Sequence, residues 1–276
     1  MGSIGVRVES KLHLDPKIAV KSLRYRILEI NSISGEGHIL SSLSSLELMI
    51  AILNAQRKKT NFLDNSYPWE DPFILSKGHA ALAFYVVLES LGLLKKSEIE
   101  GFGKIGSNLG GHPDSNKFPL AYFSTGSLGH GLPVSVGTAY SLANKSDYHR
   151  VYCLCGDGEL MEGSIWESLA FASSMKLSNL QILVDCNSTH TKNGISIESL
   201  TKRLSGYDLE IVVVDGHNLD ALNNVLNTPQ KNNPRILLCK TIMGYGVPLV
   251  EGKKEWHRKR VGHDELVNVK AQLGIE

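Results

Sequence analysis

The chain has 276 residues, 42% of them hydrophobic and 21% charged. A chain of that length buries roughly three quarters of its unfolded surface, and the composition excludes wholesale disorder. Lysine plus arginine number 29 and aspartate plus glutamate 28, a balance that gives no basis for a nucleic-acid or anionic-membrane partner.

In chain order, Asp15-Pro16 opens a predicted helix that carries Ile18, Leu23, Ile27 and Ile30 at helical spacing. A second helix is predicted over Ser44 to Asn54. Pro72 to Leu75 reads as a short strand that ends at Ser76-Lys77-Gly78-His79, with a helix over Ala80 to Leu91 behind it. Gly101 to Lys117 is rich in Gly, Asn and Ser and reads as a loop, and Leu128 to Leu142 as a small-residue helix. Val151 to Cys155 is a short apolar strand, Gly156-Asp157-Gly158 a turn, Ser164 to Met175 a helix and Gln181 to Val184 a second buried strand. That βαβ crossover implies parallel strands. Glu210 to Val214 and Arg235 to Lys240 add two strands, with a helix over Asp220 to Asn227 between them. The expected fold is α/β, a doubly wound, mainly parallel sheet with helices on both faces. Residues 1–276 read as one domain.

Cys153, Cys155, Cys186 and Cys239 form no C-x-x-C pair, and three of them sit in apolar runs. They read as reduced core thiols rather than zinc ligands or disulfides. Met1 to Ser10 lacks a signal-peptide pattern, and the longest apolar stretch, Ala80 to Leu94, is broken by Glu89 and Ser90. The expected setting is the cytoplasm, with no membrane span.

Ligands of open parallel sheets bind outside the carboxyl ends of the strands. Asp157 follows one such end and Asn187 the next. A carboxylate, an amide oxygen and a loop carbonyl form a hard oxygen set that suits magnesium and its phosphate ligands. Gly156 and Gly158 allow backbone amides to approach a diphosphate closely, and the helix that opens near Ser164 adds partial positive charge. The same residues also fit a plain turn and an Asx-turn, and composition does not separate the two readings.

The run Gly156-Asp157-Gly158-Glu159-Leu160-Met161-Glu162-Gly163, with Trp166-Glu167 and Asp185-Cys186-Asn187, resembles the thiamin-diphosphate motif of transketolases. Gly37-His38, Leu75-Ser76-Lys77-Gly78-His79-Ala80, Gly111-His112-Pro113, Ser124-Thr125-Gly126-Ser127-Leu128-Gly129, Val214-Asp215-Gly216-His217, Gly244-Tyr245-Gly246-Val247 and Trp256-His257 are similar to transketolase segments in the same order. The resemblance runs from about Asp15 to about Leu273. It implies that Asp157 and Asn187 bind Mg²⁺ through their side chains and Thr189 through its carbonyl. It further implies that Gly126, Ser127, Leu128, Gly158 and Glu159 contact thiamin diphosphate, together with Asn187, His79 and His257. His79 and His257 would lie near the diphosphate and the reacting carbon. His38 and His112 would face substrate hydroxyls or the carbonyl. Glu162 resembles a glutamate that lies where two protomers meet.

A full transketolase is more than twice this long, so the chain resembles the N-terminal half of a split enzyme. The pyrimidine-binding and C-terminal domains are expected on a partner chain, in an α₂β₂ assembly that is inactive without the partner. The implied reaction moves a two-carbon ketol unit from a ketose, free or phosphorylated, to an aldose. Three features depart from the family pattern: His130 in place of Gln, the 188–194 loop, and Arg258-Lys259-Arg260 after His257. They leave open a relative that acts on a nucleotide-linked sugar. A non-catalytic scaffold is the alternative outside enzymology.

Overall fold

The computed structural model describes residues 16–56, 67–143, 145, 148–187, 196–257 and 259–275. Among the described residues three helices come first: α1 (Pro16–Ser34), α2 (Ile39–Ser44) and α3 (Leu46–Ala55). The pattern predicts one helix over Ser44 to Asn54, and the structure has a break there at Ser45. Both hydroxyls at the break, Ser44 and Ser45, donate to the Asp185 carboxylate, at 2.7 and 2.6 Å. The strand β1 (Phe73–Ile74) follows, then α4 (Ala81–Ser90), a short α5 (Lys96–Ile99) and α6 (Gly131–Ala143). The crossover is β2 (Val151–Gly156), α7 (Gly163–Ser174) and β3 (Leu180–Cys186). The chain continues through α8 (Ile197–Leu204), β4 (Glu210–Asp215), α9 (Leu219–Asn227), β5 (Arg235–Lys240) and α10 (His263–Leu273).

The five described strands form one parallel sheet in the order β1-β2-β3-β5-β4. Side chains alternate across a strand, and both faces of this sheet are apolar. Tyr152, Leu154, Leu183 and Leu237 join a core with residues of α1, α3, α4, α9 and α10. Val151, Cys153, Ile182, Val184 and Leu238 join a second core with residues of α6, α7 and α8. Strands covered on both faces read as continuous apolar runs, which is why β2 and β3 stand out in the sequence. All four cysteines are buried free thiols, as expected.

Local chemistry sets several helix ends. Ser196 and Asn218 side chains accept from the backbone N–H groups of Ser199 and Ala221, at 3.2 and 3.0 Å, and start α8 and α9. No described helix is long and apolar enough to cross a membrane.

Candidate active site

Every described strand is parallel, so their carboxyl ends open on one edge of the sheet. Gly156 pairs in register with Asp185. Asp157 and Asn187 therefore stand just beyond the ends of two neighbouring strands, which run about 4.8 Å apart. Both side chains are buried. The Asn187 amide nitrogen donates to Ser44 Oγ at 3.0 Å, which turns its oxygen away from Ser44. The Gly158 N–H donates to Asp157 Oδ1 at 2.8 Å, and no heavy atom lies within 4 Å of where a Gly158 side chain would begin. Hard oxygen donors beside an open glycine backbone fit a magnesium diphosphate. Thr189 and the 188–194 loop lie outside the described residues.

Four histidines from four separate loops meet beside these strand tips. The His38 ring centroid lies 4.4 Å from that of His79, 5.8 Å from His112 and 5.4 Å from His257. His79 and His112 are 5.0 Å apart. His38 begins α2, His79 follows β1, His112 lies in the loop before α6, and His257 follows a short turn over Lys254–Trp256. Gly126 has φ +146°, and a β-carbon there would sit 3.1 Å from the His112 ring. A side chain at Gly78 would meet the Gly126 backbone nitrogen at 2.9 Å. Glycine at both positions lets two loops cross against His112. Ser127 and Leu128 lie on the same loop, as does the exposed His130.

Burial, followed by the nearby His38, His112, Lys77 and His257, holds the pKa of His79 down at about 4. Burial also lowers that of His112. Neutral rings at pH 7 are able to accept as well as donate a proton. A histidine that stays neutral in the fold but charges once unfolded gives stability that is full above its unfolded pKa of 6.5 and drains as pH falls toward 4. His79→Asn is therefore expected to flatten the loss of Tm between pH 7 and pH 4.5. The ring is partly open to solvent, so the effect is discounted to about 1 kcal/mol. Thermal melts of both chains across that range check it.

Glu159 works from behind the site. Its carboxylate accepts from Ser76 Oγ at 2.6 Å, Gly129 N–H at 3.1 Å and Gly156 N–H at 2.9 Å. It ties the loop after β1 and the loop before α6 to the end of β2. Glu162 is exposed at the start of α7.

Sequence pattern alone gives no role to Lys77 or Asp185. Lys77 Nζ lies 2.5 Å from Asp185 Oδ2, and Asp185 is fully buried. Burial opposes ionisation of Asp185, but Lys77, Ser45 and Thr241 outweigh it and lower the pKa. Ser44 accepts from Asn187 and donates to Asp185, so this buried ion pair also orients Asn187. The partners stand 108 residues apart, and no local spacing signals them. His217 stands in the sequence only as part of a motif. In the structure it stacks on Tyr245 with centroids 3.5 Å apart, accepts from the Ile242 N–H at 2.8 Å and faces Glu47 at 3.3 Å. Those contacts pin the loop after β5.

Comparison with known proteins bears on this arrangement. The family described as "Transketolase, thiamine diphosphate binding domain" matches residues 16–276. The chain is 38% identical to the transketolase of Pongo abelii over 249 residues, 88% of this chain and 39% of that protein. It thus spans about two fifths of that relative's length. It is 33% identical to one of the subunits of the apulose-4-phosphate transketolase of Actinobacillus succinogenes, over 89% of this chain and 91% of that polypeptide. A crystal structure of a Pichia stipitis transketolase variant in complex with fructose 6-phosphate superposes with a TM-score of 0.84 at 26% identity, over 94% of this chain and 41% of that one. With a family match that takes in the strand tips and the histidine loops alike, this chain belongs to the transketolase family, in its thiamine-diphosphate-binding part.

Proposed function

We propose that this chain is the diphosphate-binding half of a two-chain transketolase that transfers a two-carbon ketol unit from a ketose to an aldose. The observation that carries the reading is the placement of Asp157 and Asn187 at adjacent strand tips, with four histidines beside them. The similarity along nearly all of a polypeptide that is itself named as a transketolase subunit supports a division of the enzyme between two chains. The fructose 6-phosphate and apulose 4-phosphate in the relatives' names support sugar phosphates as the substrate class.

Asp157 and Asn187 would hold Mg²⁺ through oxygen, with Thr189 offering its carbonyl, and Gly158, Gly126, Ser127 and Leu128 would flank thiamin diphosphate. When bound, that cofactor supplies a carbon nucleophile from its thiazolium ring. The protein's part is to position and to move protons. Nε2 of His112 is buried without a hydrogen-bond partner, and a ring so placed donates to an oxygen that gains charge. His79, neutral at pH 7, takes a hydroxyl proton and returns it; such help is worth about 10²- to 10⁴-fold. His38 and His257 complete the ring of donors around the sugar. Glu159 acts through the loops it ties together.

The pyrimidine-binding half would lie on the partner, with Glu162 at the contact, in an α₂β₂ assembly. Four buried free thiols support a reducing, cytoplasmic setting. Of the basic run, the described cations are used in packing: Arg260 Nε donates to the Ser32 carbonyl at 2.8 Å, and Lys259 lies over the Trp256 ring. They lend nothing specific to a nucleotide-linked sugar. Purified chain with Mg²⁺, thiamin diphosphate, a ketose phosphate and an aldose phosphate is expected to turn over at background rate. Addition of a pyrimidine-binding partner chain is expected to raise the rate by at least about a hundredfold, the scale of one acid–base group. Robust turnover by the lone chain refutes the divided enzyme.

A further inference from the structure

His38, His79 and His112 each place one ring nitrogen so that all three lie within 4.8 Å of one another, and all three rings are half-buried. Among the described residues no other group of three histidine, cysteine or acidic side chains meets so closely. We propose that these three imidazoles form a second metal site, for a borderline transition-metal ion with Zn²⁺ foremost, separate from the oxygen site at Asp157 and Asn187.

The geometry suits such an ion. Zinc binds imidazole nitrogen at about 2.0–2.1 Å, usually as a tetrahedron, which puts ring centroids about 5.2 Å from one another. The observed spacings of 4.4, 5.0 and 5.8 Å bracket that value. A tetrahedral ion draws its nitrogens to about 3.4 Å apart, and the broad χ2 of histidine permits the needed ring rotation. The Gly78–Gly126 crossing holds His112 from behind, so little order has to be gained on binding. His257, its ring 5.4 Å from His38 and exposed, stands where a fourth ligand or a water would enter.

The donor type sorts the metals. Imidazole favours zinc, copper and nickel, whereas carboxylate and carbonyl oxygens favour magnesium. Millimolar Mg²⁺ at the strand tips would therefore leave the histidines to a scarcer ion. An ion there occupies the end of the site that faces the sugar, so zinc would inhibit reversibly and compete with substrate. That consequence rests on the function proposed above; the binding does not.

The experiment uses the untagged full chain, freed of metal and kept in excess Mg²⁺. Titration with Co²⁺ is followed by visible d–d absorption, and Zn²⁺ by calorimetry. One equivalent of Co²⁺ is expected to give bands of a low-symmetry site that Zn²⁺ abolishes and Mg²⁺ does not. His112→Ala and the more conservative His112→Gln are each expected to weaken binding by about 100-fold, in folded chains checked by circular dichroism. Asp157→Asn is expected to leave the bands in place. Absence of stoichiometric cobalt bands in the wild-type chain overturns the proposal, as does binding that survives both His112 substitutions. Thiamin diphosphate binding with Mg²⁺, measured on the same preparation, tells loss of this site apart from failure of the functional reading.

Discussion

Replacement of Lys77 by methionine is expected to destabilise the protein by about 3–5 kcal/mol, the cost of a buried carboxylate left without its cation. Asp185 has no exposed surface, and its oxygens take Lys77, Ser44, Ser45 and Thr241. Methionine fills the space of the lysine stem but brings no charge, so the hydroxyls alone must hold the anion. Asp185→Asn in the same background is expected to recover part of the loss, because the neutral amide no longer needs a counter-charge. Urea unfolding of the two single variants and the double variant gives the coupling directly. A loss under about 1 kcal/mol for Lys77→Met would show a pair too well hydrated to matter. The pH dependence has a definite sign. Asp185 has its folded pKa lowered, so its contribution is present above the ordinary carboxylate range and is lost as pH falls through it.

That pair also marks where legibility in the sequence ends. The strands β2 and β3 can be read because both faces of the sheet are covered, which makes Val151 to Cys155 and Gln181 to Val184 unbroken apolar runs. Asp157, Asn187 and the four histidines can be read because each stands in a short motif, most of them beside glycine. Lys77 and Asp185 lie inside two such motifs, yet their roles arise only when β1 and β3 lie two places apart in one sheet. The break between α2 and α3 has the same origin: two serines that read as the first residues of one predicted helix serve a carboxylate at least 140 positions away. The short helix α8 escapes sequence reading for a different reason. Ile197, Leu200 and Leu204 stand at helical spacing, but the run is only eight residues long, too short to be set apart from the loop before it. The role of Glu159 as a loop tie is likewise a product of assembly, since its three donors come from three segments.

Asp157→Asn is expected to lower affinity for thiamin diphosphate in the presence of Mg²⁺ by more than about 100-fold, with the fold intact. Even outer-sphere partners of a metal cost about 10- to 100-fold when removed, and Asp157 would touch the ion itself. Electrostatics and geometry act together here. The thiol of Cys186, next to Asn187 in the chain, is pushed up by burial and then by the charges of Asp157 and Asp185, with Lys77 opposing, so the Asp157 carboxylate is felt at the strand tips. A carboxylate and a diphosphate repel each other directly, and a divalent cation between them bridges the two. Asparagine keeps the shape and the hydrogen bond from the Gly158 N–H but removes the charge that draws the cation. Two measurements separate these effects. Calorimetry at fixed Mg²⁺ gives the loss of affinity, and its dependence on Mg²⁺ should be steep in the wild-type chain and shallow in the variant. Thermal melts without ligand check that the variant is folded. Wild-type affinity in a folded Asp157→Asn chain would mean that the strand-tip oxygens do not hold the ion, and the proposed reaction would lose its anchor.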